Sequence, residues 1–268
     1  MSHAGTVFLL TFGLFLGMLF FLGIGRRIGI RRMKEDTEAG AEGVGAVDGA
    51  VFALLGLLIA FTFSGASSRF DTRRQLIVEE TNDIGTAYLR LDLLPAGAQP
   101  SLRESFRRYL DTRIEVYRKL PDIAAARESL ARANELQPQI WRQAVAASQA
   151  KGAPPAAPIL LLPALNAMID ITTTRTMATL MHPPLVVFVM LFGLALAASL
   201  LAGYGMTGSR ARSWFHMLGF ALVMTVAVFV ILDIEYPRAG LIRVDAFDQA
   251  LIDLRESMNR DIQSPAQK

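Results

Sequence analysis

The chain has 268 residues, 52% of them hydrophobic and 19% charged, with a net charge of +3 and no cysteine. An ordinary globular domain carries roughly 25% charged residues, so the apolar excess points to a membrane. The missing cysteine excludes disulfides and thiolate chemistry, and basic residues interleaved with acids leave nucleic-acid binding without support.

The first element is an uncharged run from Ala4 to Gly25. A bilayer core needs about 20 apolar residues in a helix, and backbone groups in lipid must bond within their own segment. The run therefore predicts a spanning helix. No basic stretch precedes it, it exceeds the apolar core of a signal peptide, and basic residues follow it, so a retained anchor is expected. Gly13 and Gly17 form a small-xxx-small pair suited to close helix contact. The loop "RRIGIRRMKEDTEAGAEGVGAVDG" comes next, basic at its start and then acidic and glycine-rich.

A second uncharged run, Gly49 to Ser68, predicts a second span, and no proline interrupts its passage into a charged stretch. Leu55, Ile59, Phe63 and Ala66 recur at spacings of three and four and are expected to share one face. In a ring of copies such a face would make an apolar constriction, a device that channels use as a gate. Packing against lipid or a neighbouring helix is the plainer use of the same pattern. Arg69 and Arg73 follow, one turn apart. Around an axis they would concentrate anions at a pore mouth. Snorkelling, or pairing with Asp71, Glu79, Glu80 or Asp83, is the competing reading.

The region over 67–182 lacks a spanning run and is expected to be a helical soluble domain. Phe70, Ile77, Ile84 and Leu91 recur every seven residues, the mark of a one-faced helix. "LLPAGAQP" closes that helix. "SLRE", Ser101 to Glu104, fits a capping box. The helix it opens carries Phe106, Tyr109, Leu110, Ile114 and Tyr117 on one side, and Arg103, Arg107, Arg108, Arg113 and Arg118 on the other. Two more helices are expected, from Ile123 to about Ala150 and from Ile159 to Met181, joined by "KGAPPAAP". No strand is expected.

The third and fourth spans are predicted within Thr176 to Ser209 and Ser213 to Leu232, where His182 and His216 are the only titratable residues. "GMTGSRAR" joins them. Asp233 and Glu235 end the fourth span. An acid beside hydrocarbon is costly and normally has a partner, so an ion pair of Asp233 with Arg69 or Arg73 is expected. The chain then turns at Pro237 and Gly240 and finishes as an amphipathic helix with Phe247, Leu251 and Leu254 inward. The reading is an all-α polytopic membrane protein in four parts: a first helix pair over 1–66, the helical domain over 67–182, a second pair over 183–236 and a tail over 237–268.

Enzyme chemistry has little to stand on. His3, His182 and His216 are scattered, and neither a phosphate loop nor a nucleophile elbow is present. No catalytic residue, metal or cofactor is expected.

The run "AFTFSGASSRFDTRRQLIVEETNDIGTAYLRLDLLP" and the later "LDIEYPRAGLIRV" resemble the bestrophin-like family of bacterial membrane proteins. The first run also resembles, more distantly, the bestrophin anion channels, through the arginine-aromatic pair Arg69–Phe70 and a basic residue, Arg73 or Arg74, a turn later. The resemblance implies a homopentameric channel, conducting inorganic anions such as chloride, in the bacterial inner membrane. It implies that the second span lines the neck, with Ile59 and Phe63 as its ring, and that the helical domain forms a cytosolic vestibule. Two features depart from the family pattern. Asp245, Asp248 and Asp253 are too spread to match the acidic calcium-binding cluster of animal bestrophins, and the middle region is short.

Charge does not decide the orientation. The short loops hold seven basic residues, five between Arg26 and Lys34 plus Arg210 and Arg212, and the other side holds six: Arg69, Arg73, Arg74, Arg175, Arg238 and Arg243. Short loops count most, which favours an outside domain; the resemblance implies a cytosolic one, which is the expectation kept. A non-conducting scaffold or sensor whose helical domain binds a protein is the alternative function. A stator-like proton channel would want a mid-membrane carboxylate, whereas Asp48 and Asp233 sit at span ends.

Overall fold

The computed structural model describes residues 3–35, 44–120, 122–206 and 210–263. The acidic, glycine-rich loop at 36–43, the 207–209 connection and the side chains of His3, Lys34, Arg210 and Arg212 lie outside that description. Among the described residues every regular element is helical. They are α1 (His3–Glu35), α2 (Val44–Leu89), α3 (Gln99–Lys119), α4 (Ile123–Ser148), α5 (Ala156–Leu180), α6 (Leu185–Gly205), α7 (Arg210–Glu235) and α8 (Gln249–Gln263). Four stretches are long and apolar enough to cross a membrane: Ala4–Arg32, Gly45–Leu93, Ala156–Gly205 and Trp214–Glu235. Pro183 and Pro184 remove two donors and bias the preceding residues away from helix, so α5 stops at Leu180 and α6 starts at Leu185.

The chain divides into two compact units, Met1–Phe70 with His182–Ile242 and Asp71–Met181 with Arg243–Lys268. In the first, α1 packs along α6 and α7. Leu14, Met18 and Leu22 of α1 and Leu191, Ala195 and Ala198 of α6 are fully enclosed there. Between spans the hydrophobic effect drives little, so association rests on close packing, and small residues permit it. Gly203 is the clearest case: a Cβ there would run into the backbone of Leu22, and one at Gly25 into the carbonyl of Leu200. Of the pair expected to lie close, a Cβ on Gly17 would press on the Leu196 side chain of α6 at 3.1 Å, whereas one on Gly13 would meet nothing within 4 Å. Helix α2 stands apart. Only 6% of its apolar window is buried within the chain, against 28% to 39% for the other three stretches.

In the second unit α3 packs on α4 and α8, and α4 on α5. Ile84, Leu91, Phe106, Tyr109, Leu110, Ile140, Leu161 and Leu251 form its core. Helix α4 opens where Asp122 accepts the Ala125 N–H at 3.1 Å, a side-chain N-cap. The capping box expected at Ser101 does not form. Helix α3 already begins at Gln99, with Pro100 in its first turn, and the Ser101 hydroxyl donates back to the Ala98 carbonyl at 3.2 Å. The arginine side of α3 is also not uniformly solvated: Arg107 and Arg113 are buried.

Candidate functional site on helix α2 and its anchors

Helix α2 continues without a break past Ser68, and its residues sort by face. Leu55 and Ala66 are fully buried in the first unit's core, and Ile59 is half-buried against the same cluster. Phe63 is 44% exposed. The expected single face is thus split, because a spacing of four overshoots a turn and Phe63 has drifted to the edge of the packed side. Besides Phe63, the large apolar side chains of this span that stand outward include Leu54, at 51% exposed. Leu57 is 52% exposed and Phe61 67% exposed, and Ala53 lies in line with them one turn earlier. The sequence held this row at the same four-residue spacing; without knowing which face α2 packs, the two rows cannot be told apart.

At the end of the apolar run, Arg69 reaches α7. Its Nε donates to Oε1 and Oε2 of Glu235 at 3.0 and 3.1 Å, and its Nη2 donates to Oε2 at 2.7 Å. The Glu235 carboxylate is fully buried. His182 Nδ1 lies 3.0 Å from Glu235 Oε1, and the imidazole stacks on Tyr236 with centroids 4.5 Å apart. The ion pair therefore forms with Glu235, not with Asp233 as expected. Asp233 is one of the last residues of α7 and is turned the other way. It accepts the Leu241 N–H at 2.9 and 3.0 Å and the Ile242 N–H at 2.8 Å, holding the returning 236–242 turn against the helix end. Gly240 sits so close to this carboxylate that a Cβ would collide with it.

Arg73 is buried rather than facing open water. Its Nε donates to the Ala178 carbonyl at 3.0 Å and its Nη2 to the Met181 carbonyl at 2.9 Å. A guanidinium there satisfies carbonyls that the end of α5 leaves without helical donors. Arg74 donates to Asp71 Oδ1 at 3.1 Å and lies over the Phe247 ring at 4.3 Å.

A second polar centre lies in the 71–181 unit. Glu80 is fully buried, and Arg113 Nε donates to its Oε1 at 2.5 Å. Arg175 donates to its Oε2, and the Tyr117 hydroxyl donates to the same oxygen at 3.0 Å. Arg175 also reaches Asp248 at 3.1 Å and lies 3.5 Å above the Tyr117 ring. Two carboxylates thus face two guanidiniums. Burial pushes the Tyr117 phenol well above its ordinary range, outweighing Arg113 and Arg175, so it stays a neutral donor. Burial alone would lower the Arg113 pKa, but Glu80 and the neighbouring tyrosines raise it on balance, so it stays charged. Sequence reasoning missed this centre. The signal was present: Glu80 sits three residues after Ile77 and four before Ile84, on the heptad face that buries.

Among the described residues no group of three or more His, Asp or Glu side chains is placed to hold a metal ion. What the arrangement offers is mechanical: a long helix, anchored by buried ion pairs on one side and left uncovered on the other. A family model described as the bestrophin-like domain matches residues 11–246. The fold is similar to that in the crystal structure of a bacterial bestrophin homologue from Klebsiella pneumoniae with a mutation, with a TM-score of 0.64 at 14% identity, covering 89% of this chain and 98% of that one. That identity speaks to fold alone. No curated protein matches the sequence.

Proposed function

Since the chain belongs to the bestrophin-like family, we propose that it is the subunit of an oligomeric membrane ion channel in which α2 is the pore helix. The observation that carries this reading is the nearly uncovered apolar span of α2, 6% buried within its own chain. A span packed on every side by its neighbours needs only lipid around the bundle. One that leaves most of its surface open, and then runs on as a charged helix, is suited to pairing with its copies about an axis.

The neck we assign to the outward row, Ala53, Leu57 and Phe61. Side chains that constrict a shared axis must be free of their own chain's packing. Leu55 fails that test, Ile59 meets it in part, and Phe63 flanks the row. A narrow ring of leucine and phenylalanine excludes water and so gates ions. In this reading the subunits sit in the bacterial inner membrane as a homo-oligomer, a pentamer by family likeness, with the 71–181 unit as a cytosolic vestibule. The anion preference drawn from Arg69 and Arg73 loses its footing, since Glu235 and the α5 carbonyls engage both guanidiniums.

Single-channel recording of the purified full-length protein in planar bilayers tests the reading. Leu57→Ala or Phe61→Ala should enlarge or unblock the unitary current. Silence in every ionic condition would favour a scaffold. For orientation, a single cysteine at Ala124, which is exposed on α4, can be challenged in intact cells with an impermeant thiol reagent. A cytosolic vestibule leaves it unlabelled.

A further inference from the structure

Helix α1 stays helical beyond its apolar run and carries Arg26, Arg27, Arg31 and Arg32 along its last turns. Arg27 and Arg31 are exposed and lie one turn apart, and neither has an ion-pair partner among the described residues. Arg26 is half-buried, and its Nε is enclosed without a hydrogen-bond partner. Ile28 and Ile30 stand exposed among these arginines. Aromatic side chains occupy the same level. Gly17 lies against Leu196 and Gly203 against Leu22, so α1 and α6 run in one direction, and the short connection after Gly205 returns α7 in the other. The Thr225 hydroxyl of α7 lies 4.0 Å from Met18 Sδ of α1. Trp214, eleven residues before Thr225, is therefore level with Gly29, eleven residues after Met18. Trp214 is 59% exposed, and Phe215 beside it is also exposed. The Tyr204 backbone nitrogen of α6 lies beside Gly25. The edge-on contact of Phe52 with Phe220 brings the start of α2 to this end as well, and with it Asp48. Among the side chains described at this end, four arginines thus stand against that one carboxylate.

We propose that this end of the spanning unit is a docking surface for the headgroups of anionic phospholipids, with Arg27 and Arg31 gripping the phosphodiester and Arg26 donating beside them. Arginine stems lie along hydrocarbon while their heads reach the phosphate level. Exposed tryptophan settles at that same level. A planar guanidinium offers two parallel N–H groups to two phosphate oxygens. A zwitterionic headgroup brings its own ammonium next to the phosphate and so cancels much of the attraction. Each arginine near an anionic surface strengthens binding by about fivefold. This surface follows from the spanning helices themselves and does not depend on whether the assembly conducts.

The test reads the lipid that gathers around Trp214. Full-length Trp141→Phe protein, in which Trp214 is the one tryptophan left, is reconstituted into vesicles of mixed phosphatidylglycerol and phosphatidylcholine. Brominated phosphatidylglycerol and brominated phosphatidylcholine are compared as fluorescence quenchers at equal mole fraction. The anionic lipid should quench more strongly. Its advantage should fall by about fivefold with Arg27→Gln or Arg31→Gln, and further with both. Arg27→Lys, which keeps the charge, should retain most of it. High salt should erode it as well, since the Debye length is about 3 Å at 1 M. Arg142→Gln, exposed on α4, should change nothing. Protein with both tryptophans should give the same order of quenching, which separates the result from the Trp141 change. Equal quenching by the two lipids, or a preference unmoved in the double glutamine variant, overturns the proposal. So does a preference abolished by inorganic phosphate but not by chloride at the same ionic strength, which would make this a site for a free anion.

Discussion

Arg69 of α2 and Glu235 of α7 are joined by three nitrogen-to-oxygen contacts of 2.7 to 3.1 Å, with the carboxylate fully enclosed. Removing one partner of a buried ion pair leaves the other charge without compensation, which typically costs about 3–5 kcal/mol. Arg69→Ala should therefore lower the thermal midpoint in detergent strongly, as followed by circular dichroism. Arg69→Lys should recover only part of the loss, because an ammonium cannot reproduce the two-pronged grip. An unchanged midpoint for Arg69→Ala would show that Glu235 is held without Arg69.

The centre around Glu80 invites the same logic with more partners. Glu80→Ala removes the carboxylate that Arg113 and Arg175 share, while Arg175 keeps Asp248, and should destabilise the protein by about 3–5 kcal/mol. Arg113→Ala in the Glu80→Ala background should cost much less than Arg113→Ala alone. A coupling energy on the order of 0.5–3 kcal/mol in that double-mutant cycle is the expected result. Strict additivity of the two changes would mean the contact carries no stability of its own.

Much of the helix layout was legible because hydropathy and the seven-residue repeat report directly on burial. Ile77, Ile84 and Leu91 are all buried as their spacing required, and Pro154 and Pro155 fall between helices. What the sequence did not reveal is which way α2 turns. Leu55–Ile59–Phe63 and Ala53–Leu57–Phe61 are equally apolar rows, and only the partners of Leu55 and Ala66 distinguish them. The acid at the end of α7 was equally ambiguous. Asp233 and Glu235 are two residues apart and so point to different sides of the helix; tertiary contacts alone decide which one meets Arg69. Buried arginines on α3 were hidden by the ordinary expectation that charged residues face water.

The α1–α6 contact gives a packing prediction. Gly203→Leu should abolish assembly of the spanning unit, since even a Cβ collides with the Leu22 backbone. Gly13→Leu should be tolerated, because nothing lies within 4 Å of its Cβ position. Size-exclusion chromatography of the two detergent-purified variants compares them directly: a single sharp peak from Gly203→Leu would contradict the packing.

Asp233 makes a separate claim about the 236–242 turn. Asp233→Ala leaves the Leu241 and Ile242 N–H groups without their acceptor, at about 0.5–1.5 kcal/mol for each lost hydrogen bond. Asp233→Asn, which keeps an acceptor oxygen, should be the milder change. Limited proteolysis at the turn reads the difference, with faster cleavage expected for Asp233→Ala than for Asp233→Asn.

The most direct measurement of α2 as the pore helix uses the absence of native cysteine. Single cysteines at Leu55, Leu57 and Phe61 can be exposed to a charged, water-soluble thiol reagent while current is recorded. Modification should block current through the Leu57→Cys and Phe61→Cys channels and leave Leu55→Cys untouched. Current that persists at both outward positions, or that is blocked at Leu55→Cys alone, would contradict the account.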